Sequence, residues 1–142
     1  MKTSARNQFP GKVTDIRKGA VNDEIEMEIG GGQKLVATVT RESTDSLGLQ
    51  VGSEAFALVK ASSVILLTDE EGVKFSARNR LKGTVTKVVA GAVNSEVVLE
   101  LAGGLSIAAI VTNESVKNLD LKAGVPASAM FKVSTVIVGV RV

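Results

Sequence analysis

"EIEMEIGGGQKLVATVT", Glu24–Thr40, is the stretch whose reading decides the fold. In its first half Ile25, Met27 and Ile29 alternate with Glu24, Glu26 and Glu28, the period of a strand with one dry and one wet face. Gly30-Gly31-Gly32 then breaks the pattern, because glycine accepts the positive φ of a tight turn without steric cost. Alternation resumes over Lys34–Thr40 through Leu35, Ala37 and Val39, so the stretch predicts an antiparallel hairpin. Thr40 is placed to cap a short helix over Arg41–Leu47 that stops near Gly48.

On either side the pattern remains β-rich. Lys12–Lys18 alternates in part, with Val13 and Ile16 as its apolar members. Ala55–Lys60 and Val64–Leu67 supply two more strands after the Val51-Gly52 turn. The order β-β-β-α-β-β matches a small five-stranded barrel of the oligonucleotide/oligosaccharide-binding (OB) type.

The unit is written twice. A shift of 72 residues aligns Ser4–Leu67 with Ser76–Gly139 without a gap, and 29 of 64 positions match. "SARN" recurs at Ser4–Asn7 and Ser76–Asn79, and "GAVN" at Gly19–Asn22 and Gly91–Asn94. "TDEEGVK", Thr68–Lys74, separates the copies. The predicted class is all-β: two tandem OB-like five-stranded barrels, each with one short helix. The first domain spans 1–67, the linker 68–74 and the second domain 75–142. Repeat 1 carries 7 basic and 8 acidic residues, repeat 2 carries 7 and 4. Glu26 and Thr38 of repeat 1 become Val98 and Ile110, which predicts an oligomer to which repeat 2 gives more apolar contact.

Composition removes whole classes of function. The chain has no His, Cys, Trp or Tyr. Without imidazole or thiolate no transition-metal cation site is expected, and Ser-His and Cys-His nucleophile pairs are impossible. No enzymatic activity and no organic cofactor are therefore expected. The start, Met1-Lys2-Thr3-Ser4, has no apolar secretory core, and no run is long enough to span a bilayer, so the expected address is cytoplasmic, with no membrane partner. A net charge of +2, without a basic block, argues only weakly for nucleic acid.

What recurs instead is a set of anion donors. Ser4 and Arg6, Thr40 and Ser43, and Lys60 and Ser62 offer hydroxyls, a guanidinium and an ammonium. Taken singly each has a plainer role: SARN as a turn, Thr40 as a cap, Lys60 as an edge charge, GAVN as a hairpin connection. Glu24, Glu28, Glu96 and Glu100 fall on the wet face of a sheet. The combination at matched spacing points to an oxyanion, and the GAVN loops could add backbone donors. The alternative is an OB-type interaction module for single-stranded nucleic acid or a protein partner. Nucleic acid is disfavoured because Phe9, Phe56, Phe75 and Phe131 are the only aromatics, too few for a stacking platform.

"TSARNQFPGKV" with "LVATVTRESTDSLGLQVGSEAFALVKASSVIL", and "SARNRLKGTV" with "IVTNESVKNLDLKAGVPASAMFKVSTVIV", resemble two copies of the Mop domain of the molbindin family. The resemblance covers nearly the whole chain. It implies tandem OB-like barrels that bind molybdate or tungstate between domains, associate as homotrimers and serve intracellular molybdenum storage and homeostasis. Ser4, Ala5, Arg6 and Asn7, with Ser76, Ala77, Arg78 and Asn79, fall on the family's first binding segment. Lys60, Ala61 and Ser62, with Lys132, Val133 and Ser134, fall on its late segment. Thr40 and Ser43, with Thr112 and Ser115, match the central hydroxyls. The loops Gly19, Ala20, Val21, Asn22 and Gly91, Ala92, Val93, Asn94 resemble the secondary site. Departures between the copies are Ala61 to Val133 and Pro10 to Lys82. Related regulators place a helix-turn-helix ahead of the pair; only Met1, Lys2 and Thr3 precede SARN here, so a free-standing binding protein is expected.

Overall fold

In the computed structural model, which describes Met1–Val142, the chain forms two five-stranded antiparallel sheets. The first repeat gives β1 (Asn7–Arg17), β2 (Asn22–Gly30), β3 (Gln33–Thr40), α1 (Arg41–Ser46), β4 (Glu54–Val59) and β5 (Ile65–Leu67). The second gives β6 (Asn79–Ala90), β7 (Asn94–Leu101), β8 (Ser106–Thr112), α2 (Asn113–Asn118), β9 (Pro126–Phe131) and β10 (Ile137–Gly139). The expected element order is present in both. A 3-10 turn, Ala61–Ser63 or Val133–Thr135, precedes each last strand.

Glu24–Thr40 forms the expected hairpin. Ile25 pairs with Ala37 and Met27 with Leu35, and all four side chains are buried. The glycine turn does more than reverse the chain. A Cβ on Gly31 would lie 2.4 Å from the Ala102 carbonyl oxygen, and one on Gly103 would lie 2.4 Å from the Gly31 Cα. The two hairpin turns pack backbone to backbone, which glycine alone permits at positive φ.

The strand order departs from two self-contained barrels. The sheets run β10-β4-β1-β2-β3 and β5-β9-β6-β7-β8. Each repeat surrenders its last strand to the other: Ile137 pairs with Leu58, and Ile65 pairs with Met130. The divisions at 67 and 75 therefore mark the repeat along the chain, while both sheets cross them. The exchange buries Val64 and Leu66 from one repeat and Val136 and Val138 from the other in a single apolar core that includes Phe9, Leu35, Leu99 and Phe131.

A second reciprocal link joins the repeats. Asn7 accepts from the Ala108 N–H and donates to the Ala108 carbonyl, both at 2.8 Å. Asn79 does the same for Val36, at 2.8 and 2.7 Å. Each asparagine amide thus pairs like one more strand residue with the outer strand of the opposite sheet, satisfying backbone groups that would otherwise be orphaned.

Candidate functional site

The β1–β4 ladder brings the two ends of repeat 1 to one corner. A cavity of about 410 Å³ is lined by Thr3, Ser4, Ala5 and Arg6 and by Lys60, Ala61 and Ser62. Leu58 and, from repeat 2, Ile110, Thr135 and Ile137 complete it. Ser4–Arg6 lead into β1, Lys60–Ser62 leave β4, and β1 pairs with β4 from Asn7↔Val59 onward, so the ladder holds the segments together. Lys60 directly precedes the 3-10 turn, whose leading N–H groups have no partner within the turn.

Six expected residues, Ser4, Ala5, Arg6, Lys60, Ala61 and Ser62, therefore share one wall. Asn7 does not line it, since its side chain is held by Ala108. Thr40 and Ser43 are not among the lining residues either. The Thr40 hydroxyl accepts from the Ser43 N–H at 3.1 Å and pairs with the Ser43 hydroxyl at 2.8 Å, a helix cap. Thr112 and Ser115 repeat that cap in α2. In the second repeat the 3-10 turn Val133–Thr135 packs on β3, as Ala61–Ser63 packs on β8. The ladder between β6 and β9 starts at Asn79↔Phe131, so Ser76–Arg78 and Lys132–Ser134 extend from the same end of it.

Arg6 and Arg78 are not free cations. Arg6 forms an ion pair with Glu96 of β7, and Arg78 with Glu24 of β2, each spanning the two repeats. Glu24 and Glu96 keep to the outward face of their strands, partly exposed, and each there meets an arginine of the other repeat. Alternation assigned their face properly but said nothing of the arginine arriving from the other copy. Thr3, Leu58, Ile110, Thr135 and Ile137 also escaped sequence reading: strand exchange carries Thr135 and Ile137 to this corner, and Ile110 arrives on β8, which packs on the Ala61–Ser63 turn.

The GAVN loops are tight turns with several backbone groups already engaged. The Gly19 N–H donates to Asp23 Oδ1 at 3.1 Å, and the Gly91 N–H donates to the Asn94 carbonyl at 2.8 Å. A Cβ on either glycine would strike an asparagine carbonyl, at 2.3 Å for Gly19 and 2.7 Å for Gly91. Val21 and Val93 accept from the first N–H of the following helix, and their side chains stand exposed at the tips. Behind the first loop lies the buried carboxylate of Asp23, whereas the second has Ser95, which donates to Asn113. A negative charge beneath the first loop works against an anion there.

The Thr44 hydroxyl, the Gly19 N–H and the charges of Arg41 and Lys18 together hold the Asp23 carboxyl below its ordinary range, although burial opposes them. A depressed folded-state value means that Asp23 stabilises the fold above about pH 4 and loses that contribution as pH falls through the lowered value. Asp23→Asn is expected to flatten the acid limb of a melting-temperature profile between about pH 5 and 2. Superimposable acid limbs for the two proteins would contradict this.

Two larger grooves lack the charge for an anion. One, about 870 Å³, mixes Lys12 and Arg141 with Glu28 and Glu54. The other, about 660 Å³, sets Asp69, Glu70, Glu71 and Asp120 against Lys82. No helix of the chain is long and apolar enough to cross a membrane.

The TOBE domain model matches residues 3–66 and again 76–138. The chain belongs to the TOBE-domain family. Molybdenum transport protein ModE of Herbaspirillum seropedicae is 46% identical over 141 residues, covering 99% of this chain and 52% of that protein. Molybdenum-pterin-binding protein MopA of Rhodobacter capsulatus is 44% identical over 137 residues, covering 96% and 52%. The chain spans about half the length of these curated relatives. Among solved structures, the cytoplasmic molybdate-binding protein ModG with molybdate bound superposes with a TM-score of 0.97 at 52% identity, covering 99% of this chain and all of that one.

Proposed function

We propose that this TOBE-domain chain binds molybdate, and tungstate by the same chemistry, as a cytoplasmic store that takes up and releases the oxyanion. The observation that carries this is the corner where Ser4–Arg6 meets Lys60–Ser62. Its donor set fits a tetrahedral dianion: the hydroxyls of Ser4 and Ser62, backbone N–H groups of both segments, and the cations Arg6 and Lys60, opposed by one carboxylate. Such donors surround oxygen atoms without a covalent step, so uptake is reversible. Ser76–Arg78 with Lys132–Ser134 form the second corner. Asn7 and Asn79 support the corners by anchoring the segment behind each, and Thr40, Ser43, Thr112 and Ser115 support them as helix caps. The likeness to ModG with molybdate bound, at 52% identity over the whole chain, supports the choice of anion.

The rim of the first corner also supports assembly. Leu58, Ile110 and Ile137 border it, and Ile137 and its counterpart Ile65 are 62% and 54% exposed. Apolar residues beside a polar cavity suit closure by another copy, and a homotrimer is the assembly proposed. Light scattering at micromolar concentration is expected to report about three chains; a monomer would sink the assembly.

Equilibrium dialysis against molybdate, with sulfate as competitor, tests the function. Saturable uptake is expected, and the sulfate arm measures how far the site discriminates between tetrahedral dianions. Lys60→Ala is expected to weaken uptake about tenfold, since one cation near a dianion is lost, with an unchanged melting temperature. Absence of saturable uptake by the unaltered protein would refute the proposal.

A further inference from the structure

The two Arg–Glu pairs sit where an incoming anion would need the arginines, and their surroundings differ. Glu96 lies in register with Val89 on β6 and with Ile110 on β8, so its row neighbours are apolar. Residues directly opposite in antiparallel strands share one face, which puts Glu96 beside the cavity-lining Ile110. Glu24 lies in register with Arg17 on β1 and Thr38 on β3, so its row offers a second cation and a hydroxyl. The Glu96 side chain is 16% exposed against 31% for Glu24. Glu26, on the same face, is held by the Thr14 hydroxyl at 2.8 Å and by Lys34 at 3.5 Å, and the charge of Arg17 acts on it as well as standing beside Glu24 in the ladder.

We infer that Glu96 and Glu24 are built-in counter-anions that compete with the oxyanion for Arg6 and Arg78, and that they make the two corners unequal. This rests on the oxyanion function proposed above. Around the first corner stand Arg6, Lys60 and the Glu96 that pairs with Arg6, a sum of +1. Around the second, Arg78, Lys132, Arg17 and Lys34 stand against Glu24 and Glu26, a sum of +2. A dianion is held more tightly where the uncompensated charge is greater. The Ser76–Arg78 corner is therefore the tight site, and the Ser4–Arg6 corner fills later, as free molybdate rises. Glu96 acts through Arg6 and is a positioning residue, not a ligand.

Molybdate titration by equilibrium dialysis, on the unaltered protein and on Glu96→Gln, Glu24→Gln and Glu100→Gln, tests this. Glu100 lies on the same strand, is exposed and does not line the corner, so its substitution removes equal net charge at a distance. The unaltered protein should show two classes of site. Glu96→Gln should tighten the weaker class roughly tenfold, Glu24→Gln should tighten the stronger class by less, and Glu100→Gln should change neither more than about twofold. Uptake that is saturable but moves no further with Glu96→Gln than with Glu100→Gln overturns the inference. So does a gain confined to the stronger class. No uptake by the unaltered protein would instead refute the molybdate function itself.

Discussion

A chain cut after Thr135 is expected to lose its stability in the first repeat, some eighty residues from the cut, before the second. The segment removed contains Val136 and Val138, 4% and 7% exposed, and the strand β10 that pairs with β4. Returning two buried valines to water costs about 3–5 kcal/mol. That is a large share of the total for a domain whose net stability is typically about 5–15 kcal/mol. The loss also bares β4 along Phe56, Ala57 and Leu58, so amide exchange should quicken there and in neighbouring β1. The sheet β5-β9-β6-β7-β8 keeps all its strands. Hydrogen exchange followed by peptide mapping checks this directly. Faster exchange confined to β9 and β6 would mean that β10 belongs with its own repeat.

That outcome bears on what the sequence could and could not express. Alternation over Glu24–Thr40 was legible because a strand with one buried face repeats every two residues, whatever lies across from it. The Thr40 and Thr112 caps were legible because a hydroxyl and the N–H three residues on are local partners. The address of the last strands was not. Val64-Ile65-Leu66 and Val136-Ile137-Val138 are almost the same segment, yet the first lies beside β9 and the second beside β4. Local pattern specifies such a strand but cannot say which of two similar sheets receives it. Only packing across the seam, including the contact between the Gly31 and Gly103 turns, makes that choice.

The site was legible to a similar depth. Ser4, Arg6, Lys60 and Ser62 stood out because their chemistry recurs at matched spacing, and the first repeat's set does line one cavity. Glu96 did not stand out, although it recurs as faithfully as Arg6, because a glutamate on an alternating strand looks solvated. Its meaning depends on an arginine 90 residues away. Asn7 was legible as important and assigned to the anion-facing segment, yet its amide faces backbone. A short polar side chain ahead of a strand looks the same in sequence whether it faces a ligand or an unpaired strand edge.

Asn7→Asp is the substitution that separates those two roles, and it is expected to be among the most damaging single-atom changes in the chain. The asparagine is 2% exposed and meets the Ala108 N–H and carbonyl with one acceptor and one donor. Aspartate keeps the acceptor but turns an oxygen toward the Ala108 carbonyl, so a donor–acceptor pair becomes two facing acceptors. An unsatisfied buried carbonyl and an unpaired buried carboxylate together cost about 3–5 kcal/mol. For a chain of this length the melting temperature should fall by about 10 °C or more. Asn79→Asp should act alike at Val36, because the geometry is reciprocal. Asn7→Ala should cost less, about 2 kcal/mol, since it leaves the two backbone groups unpaired without adding a charge. Were Asn7 chiefly an anion ligand, the order would invert: molybdate uptake would suffer and the melting temperature of the ligand-free protein would hardly move. A shift below about 2 °C for Asn7→Asp would therefore return this side chain to the binding site and remove it from the seam that joins the repeats.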